Sequence, residues 1–253
     1  MSIEACAELV ERGDPDRFLS AMTAPPDARG GLMVLYAFNL EVVRAPWVTK
    51  EAMIAEMRLQ WWADAIEEIY AGGSVRRHEV VTPLAELIVE KGLERAAFDA
   101  LIEARRWDIY QEPHKDQAAF DCYISDTSAG LMWLAAQALG AGDTLRSAVM
   151  EYGYGAGVAA LFRAIPALEN MQKYPLVDGT TKGVSDLAKR ALARLDIQDV
   201  PRSIRAALRA GWMAKQTLKL AVTSPELVAA GGLQTSEFHK KIKLLWLSLT
   251  GNY

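Results

Sequence analysis

Cysteine and histidine are scarce: the 253 residues contain two of one, Cys6 and Cys122, and three of the other, His78, His114 and His239. Neither cysteine belongs to a CxxC pair, so a disulfide framework or a zinc site is not expected, and the usage suits a reducing compartment. Scattered histidines do not build a metal cage. Runs of alternating apolar and polar residues bounded by turn signals are missing, which argues against strands. There is no fixed-period repeat, so a solenoid is not expected, and no Gly/Ser linker or low-complexity segment. A basic excess is also missing. Lys and Arg total 28 against 32 Asp and Glu, giving a net charge of −4, which excludes a general nucleic-acid binder. No uncharged apolar run reaches the roughly 18–20 residues that span a bilayer. The longest, Thr127 to Ala141, reads as a buried core helix. The opening segment MSIEACAELVERGD carries acids early and lacks a long apolar core. Neither a secretory signal nor an Arg-rich transit peptide is expected from it.

What remains is helix. Hydrophobic residues make up 51% and charged residues 24%, an ordinary globular balance that can build a sizeable core. Asp14 with Pro15 marks a helix start, and Pro25-Pro26 marks its stop. Helices are expected over Ile3–Arg12, from Pro15 to near Ala24, over Arg29–Arg44, from Thr49 to Tyr70, and from Thr82 to Gly92. Further helices are expected over Leu93–Tyr110, Asp116–Leu139, Asp143–Met171, Ser185–Leu195, Pro201–Thr223 and Ser236–Leu249. The expectation is about ten helices with short connections, all α, forming one domain over residues 1–253.

The stretch from Tyr152 to Pro175, YGYGAGVAALFRAIPALENMQKYP, organises the rest. Val158, Leu161, Phe162, Ile165 and Leu168 fall on one helical stripe. Arg163 stands beside that stripe with no acid within three positions. Such an arginine either snorkels to water or holds an anion such as a diphosphate.

Three stretches in register, TAPPDARGGLMVLYAFNLEVVRAPW, DCYISDTSAGLMWLAAQALG and GVAALFRAIPALENMQKYP, resemble the squalene/phytoene synthase family of head-to-head prenyl transferases. The resemblance rests on Arg29 with Tyr36-Ala37-Phe38, on the tyrosine-containing segment before Gly130-Leu131-Met132, and on Leu161-Phe162-Arg163. It covers roughly Asp14 to Pro175. It implies the isoprenoid synthase fold, a helical bundle around a central cavity. It also implies Mg²⁺ held by two aspartate-rich motifs, because acids four apart project from one helix face and hard Mg²⁺ takes oxygen ligands. The sequence departs from that pattern. In register, the acids should stand near Val43, Arg44 and Trp47 and at Ala164 and Leu168. Glu41 and Glu169 are one or two positions off, which turns the side chain by about 100–200°. Asp16-Arg17 replaces the family's Ser-Phe entrance motif.

The chain is most similar to a branch of the family without these aspartates, which includes a mitochondrial assembly factor of respiratory complex I. The similarity is carried by LYAFNLEVV, MRLQWWADAIEEIY and LFRAIP. It implies a non-catalytic complex I assembly or lipid-binding factor with no catalytic residues, no metal and no cofactor. The competing reading is an active prenyl transferase joining two prenyl diphosphates with Mg²⁺. Expected partners are an isoprenoid or lipid-like ligand and a membrane surface or membrane protein. The expected location is cytoplasmic, peripheral to the inner membrane.

Candidate substrate- or anion-binding residues are Arg29, Tyr36, Arg58, Trp61, Tyr123 and Arg163. The three arginines would form a direct anion site where acids are lost, or else pair with Glu41, Glu56 or Glu169. Trp61 with Trp62, Met57 and Met53 would line an apolar cavity or simply pack in the core. Tyr36 and Tyr123 would point hydroxyls into that cavity or find backbone partners. Asp64 and Glu68 read as a relocated metal pair or a solvated face. SEFHKKIKLLWLSL reads as a docked final helix or a membrane contact through Lys240, Lys241, Lys243 and Trp246. Ser125, Asp126 and His114 carry no nucleophile signature.

Overall fold

The computed structural model describes residues 3–49, 51–110, 112–234 and 236–253, with backbone alone for 237–239. Among them every regular element is helical. Helix α1 (Ile3–Gly13) buries Cys6 and Val10, four residues apart, against α3. Asp14 caps α2 (Pro15–Met22) by accepting from the Arg17 amide at 3.0 Å. Helix α3 (Pro26–Arg44) starts earlier than expected, because Pro26 sits in the first turn where no amide is needed. It is buried continuously from Leu32 to Leu40, a run that is apolar apart from Asn39.

Around α3 pack α4 (Ala52–Tyr70), α5 (Val81–Lys91) and α6 (Arg95–Ala104). Gly92 ends α5 with a left-handed φ of 61°, which only glycine adopts cheaply. Phe38 sits at the centre of this first core, edge-on to Trp62 at 5.4 Å and to Phe98 at 5.3 Å.

The helix expected over Leu93–Tyr110 breaks at Ala104 into a 3₁₀ turn over Arg105–Ile109. The tighter turn carries Arg105 and Asp108 inward to Tyr123. The helix expected over Asp116–Leu139 is α7 (Gln117–Ile124), a wider π turn (Ser125–Ala129) and α8 (Gly130–Ala138). The cause lies across the interface. A Cβ on Gly157 would stand 2.5 Å from Ser128 Cβ, and one on Gly153 would stand 2.7 Å from Ala129 Cα. Bare backbone on α9 (Arg146–Asn170) lets the bulged turn lie directly against it.

Helix α9 serves both main cores. Val149 and Tyr152 join the α3 core, while Tyr154, Val158, Phe162 and Ile165 join a second core. That core includes α10 (Thr181–Arg194) and α12 (Ala214–Thr223). Helix α10 begins four residues before the expected Ser185, because Thr180 accepts from the Gly183 amide at 3.1 Å and caps it. The span expected as one helix from Pro201 to Thr223 is divided into two 3₁₀ turns, α11 (Arg205–Leu208) and α12. Gly211 is pressed against Tyr152, and Arg209 turns inward to the carbonyls of Thr23 and Asn252. Short α13 (Glu226–Ala229) and α14 (Glu237–Thr250) complete the chain.

Candidate functional site

The positions where a metal site would be built carry no suitable donors. Val43 and Arg44 close α3, Trp47 follows it, and Ala164 and Leu168 lie on α9. The Trp47 ring faces a cation: Lys173 Nζ is 5.2 Å from its centroid and 5.7 Å from that of Trp107. This ammonium also donates to the backbone carbonyls of Asp108 and Tyr110. Lys173 is buried, and burial pulls its pKa below the usual lysine value. Two aromatic faces and two carbonyls surround the charge, and the nearby Asp108 carboxylate favours it. Among the described residues, no three of His, Cys, Asp and Glu converge to hold a metal ion. The donors do not fit a magnesium cluster, which needs several carboxylate oxygens.

Next to Lys173 lies a closed polar network. Tyr123 Oη donates to Asp108 at 2.9 Å and accepts from Arg105 at 2.7 Å, and Arg105 reaches Asp108 at 3.0 Å. Burial pushes the Tyr123 phenol well above its ordinary value. His114 stacks on Trp107 at 4.0 Å, and burial lowers its pKa. Its neighbours are aromatic, so it forms no triad with Ser125 and Asp126. Asp126 instead accepts from the Cys122 thiol at 3.1 Å.

Arg163 is not alone. Its Nη2 meets Asp16 at 2.7 Å, and Nη1 points at the Met213 sulfur at 3.5 Å. Lys240 of α14 holds the other oxygen of Asp16 at 3.0 Å. One internal carboxylate therefore neutralises Arg163, for which the sequence left open water, a salt bridge or an external anion. Its partner was not Glu41, Glu56 or Glu169. Those expected partners go elsewhere or, like Glu169, stay exposed: Glu41 lies 3.9 Å from Arg44, and Glu56 binds Arg106.

The remaining expected residues divide. Arg29 donates to the Ala24 carbonyl at 2.9 Å and fastens the α2–α3 corner. Tyr36 is buried in the α3 core under the Arg17 guanidinium, its hydroxyl without a hydrogen-bond partner among the described residues, and burial pushes its pKa to about 12. Tyr36 and Tyr123 thus keep separate company. Arg58 and Trp61 do come together. With Glu41, Arg44, Ala45, Val48, Trp62 and His78 they line a groove of about 430 Å³. Arg58 is exposed and has no ionic partner among the described residues. Trp61 packs edge-on to Trp62 at 5.0 Å and lies 5.1 Å from the Arg76 guanidinium.

Asp64 and Glu68 keep to a partly solvated helix face, where Arg76 meets them. The guanidinium forks onto Glu68 with two 2.7 Å bonds and approaches Asp64 at 3.9 Å. Met53 and Met57 are exposed, so neither lines a cavity nor packs in the core. Sequence reasoning missed Lys173, Arg105 and Asp108. The i,i+3 spacing of Arg105 and Asp108 was the one local signal available.

Residues 10–178 match the family described as Squalene/phytoene synthase. Curated relatives include "NADH dehydrogenase (ubiquinone) complex I, assembly factor 6 homolog" of Dictyostelium discoideum, 29% identical over 69% of this chain and 50% of that protein. "NADH dehydrogenase (ubiquinone) complex I, assembly factor 6" of Homo sapiens is 24% identical over 64% of this chain and 48% of its own length. The chain spans about half the length of the curated relatives it matches. Among solved structures, a dehydrosqualene synthase in complex with ligand superposes with TM-score 0.78 at 12% identity, covering 98% of this chain and 95% of that one. Squalene synthase HpnC from Alicyclobacillus acidocaldarius superposes with TM-score 0.64 at 15% identity, covering 98% and 94%. Both show the isoprenoid synthase fold.

Proposed function

This chain belongs to the squalene/phytoene synthase family, and from that premise we propose that it is a non-catalytic member acting as an assembly factor for respiratory complex I. The observation that carries the reading is the Asp16–Arg163–Lys240 contact. Ionising a prenyl diphosphate needs cations and metal-binding carboxylates free to meet the leaving group. Here the arginine is already bound to an internal carboxylate. Valine, arginine, tryptophan, alanine and leucine stand where carboxylates would be needed. The relatives named as complex I assembly factors lend the partner. No Mg²⁺ and no other cofactor is required in this reading. Among the described residues no helix is long and apolar enough to cross a membrane. The proposed place of work is the cytoplasmic side of an inner membrane, beside the membrane enzyme being built.

Of the candidate residues, Arg58 and Trp61 are the ones read as meeting a ligand with an anionic head and an apolar body, a reading supported by the groove they share. Arg29, Tyr36, Tyr123 and Arg163 are read as holding the scaffold around them. The test has two arms. Purified chain with farnesyl or geranylgeranyl diphosphate and Mg²⁺ should release no diphosphate, and turnover would establish the prenyl transferase reading instead. Deleting the gene in the source cell should lower fully assembled complex I on native gels. An unchanged level would refute the assembly role.

A further inference from the structure

Helix α14 packs on the bundle through Leu244 and Leu247, which join Trp212 and Met213 in a small separate core. Its opposite face is not covered. Ile242, Leu245, Trp246 and Leu249 are spaced i, i+3, i+4, i+7 and fall within about 100° of arc. They are 51–78% exposed. On a helix seated through Leu244 and Leu247, four large apolar side chains in one outward stripe find no cover among the described residues.

The surroundings of the stripe say what would cover it. Lys241 flanks it on one side and Lys243 on the other. Beyond Lys243 a groove of about 440 Å³ separates α14 from α12, lined by Lys215, Gln216, Lys219, Leu220, Thr223 and Lys243. Lys243 lies 5.7 Å from the Trp212 ring, half-buried beside Lys215. Neither 214–223 nor 238–250 contains a single acid. Among the described residues none of Lys215, Lys219, Lys241 and Lys243 has an acidic partner. This basic surface belongs to a chain whose net charge is −4, so the cations are concentrated here against the overall balance. Lys240 of α14 faces inward and contacts Asp16.

We propose that the outer face of α14, together with the lysine groove beside α12, is a peripheral docking surface for an anionic lipid bilayer. Trp246 and its apolar neighbours enter the boundary between headgroups and acyl chains, while Lys215, Lys219, Lys241 and Lys243 meet lipid phosphates. The surface does not depend on the assembly role, since it needs only lipid.

The full chain should co-sediment with phosphatidylcholine vesicles containing phosphatidylglycerol and not with phosphatidylcholine alone, and added salt should weaken the binding. K219E/K241E, at two exposed positions, should lower partitioning roughly thirtyfold or more, taking each lysine near an anionic surface as a factor of several. Trp246→Ser with Leu249→Ser should lower it roughly tenfold or more with the melting temperature retained. Absence of binding to anionic vesicles by the folded chain would overturn the proposal. So would equal binding to neutral vesicles. A dimer in light scattering that the Trp246/Leu249 pair abolishes would assign the face to a second copy of the chain and also overturn it. Loss of complex I assembly with vesicle binding intact, or the reverse, separates this surface from the assembly role.

Discussion

Replacing Asp16 by asparagine removes one charge and almost no volume, and it takes away the carboxylate that two cations share. Asp16 contacts Arg163 at 2.7 Å and Lys240 at 3.0 Å, with side-chain exposures of 19%, 24% and 10%. Exposed ion pairs contribute about 0–1 kcal/mol, whereas removing one partner of a fully buried pair costs about 3–5 kcal/mol. With a fifth of the group in water, the value lies between these limits, at about 2 kcal/mol. For a chain of this length that lowers the melting temperature by about 4–8 °C. A double-mutant cycle of Asp16→Asn with Arg163→Met should return a coupling of about 1 kcal/mol or more. A second readout bears on function. With the carboxylate gone, Arg163 and Lys240 face a vacant anion position, so inorganic diphosphate should raise the melting temperature of Asp16→Asn and leave the parent unmoved. Melting within about 1 °C of the parent and zero coupling would show that the shared carboxylate neither holds α14 nor occupies an anion site.

Other expectations follow from single contacts. Tyr123→Phe leaves Asp108 and Arg105 short of a buried partner and should cost about 2 kcal/mol in urea unfolding. Gly157→Ala places a Cβ 2.5 Å from Ser128 Cβ and should cost about 1–3 kcal/mol by overpacking, while Gly179→Ala, in open space, serves as the control. Burial raises the Cys6 thiol from 9.0 to about 11. The unfolded thiol ionises first, so its contribution is intact below pH 9.0 and is lost as pH rises towards about 11. Urea midpoints of Cys6→Ala across that window should fall less steeply than those of the parent. A thiol reagent should modify exposed Cys122 in the native protein and buried Cys6 only on unfolding.

The all-helical class, the sites of most helix starts and the family were legible in sequence because they are local or linear properties. Asp14 caps the helix it was expected to cap, since a cap reaches only to the third residue after it. The mostly apolar run Leu32–Leu40 reads as a buried helix, and it is one. Breaks inside helices were not legible. The 3₁₀ turn at Arg105 and the π turn at Ser125 exist because of Tyr123, Gly153 and Gly157, which belong to other parts of the chain.

By itself the sequence determined a helical bundle of the squalene/phytoene synthase family and removed the metal-binding acids from their places. It could not say what became of the cations left behind, because charge pairing is set by distance in space and not along the chain. Asp16 reaches Arg163 across 147 positions. Arg76 closes on Glu68 from the loop that follows α4. Lys173 finds two indole faces from separate segments. Only tertiary packing brought these partners within a few ångströms, where the low polarity of a half-buried contact makes the pairing strong enough to choose between an open anion site and a closed one.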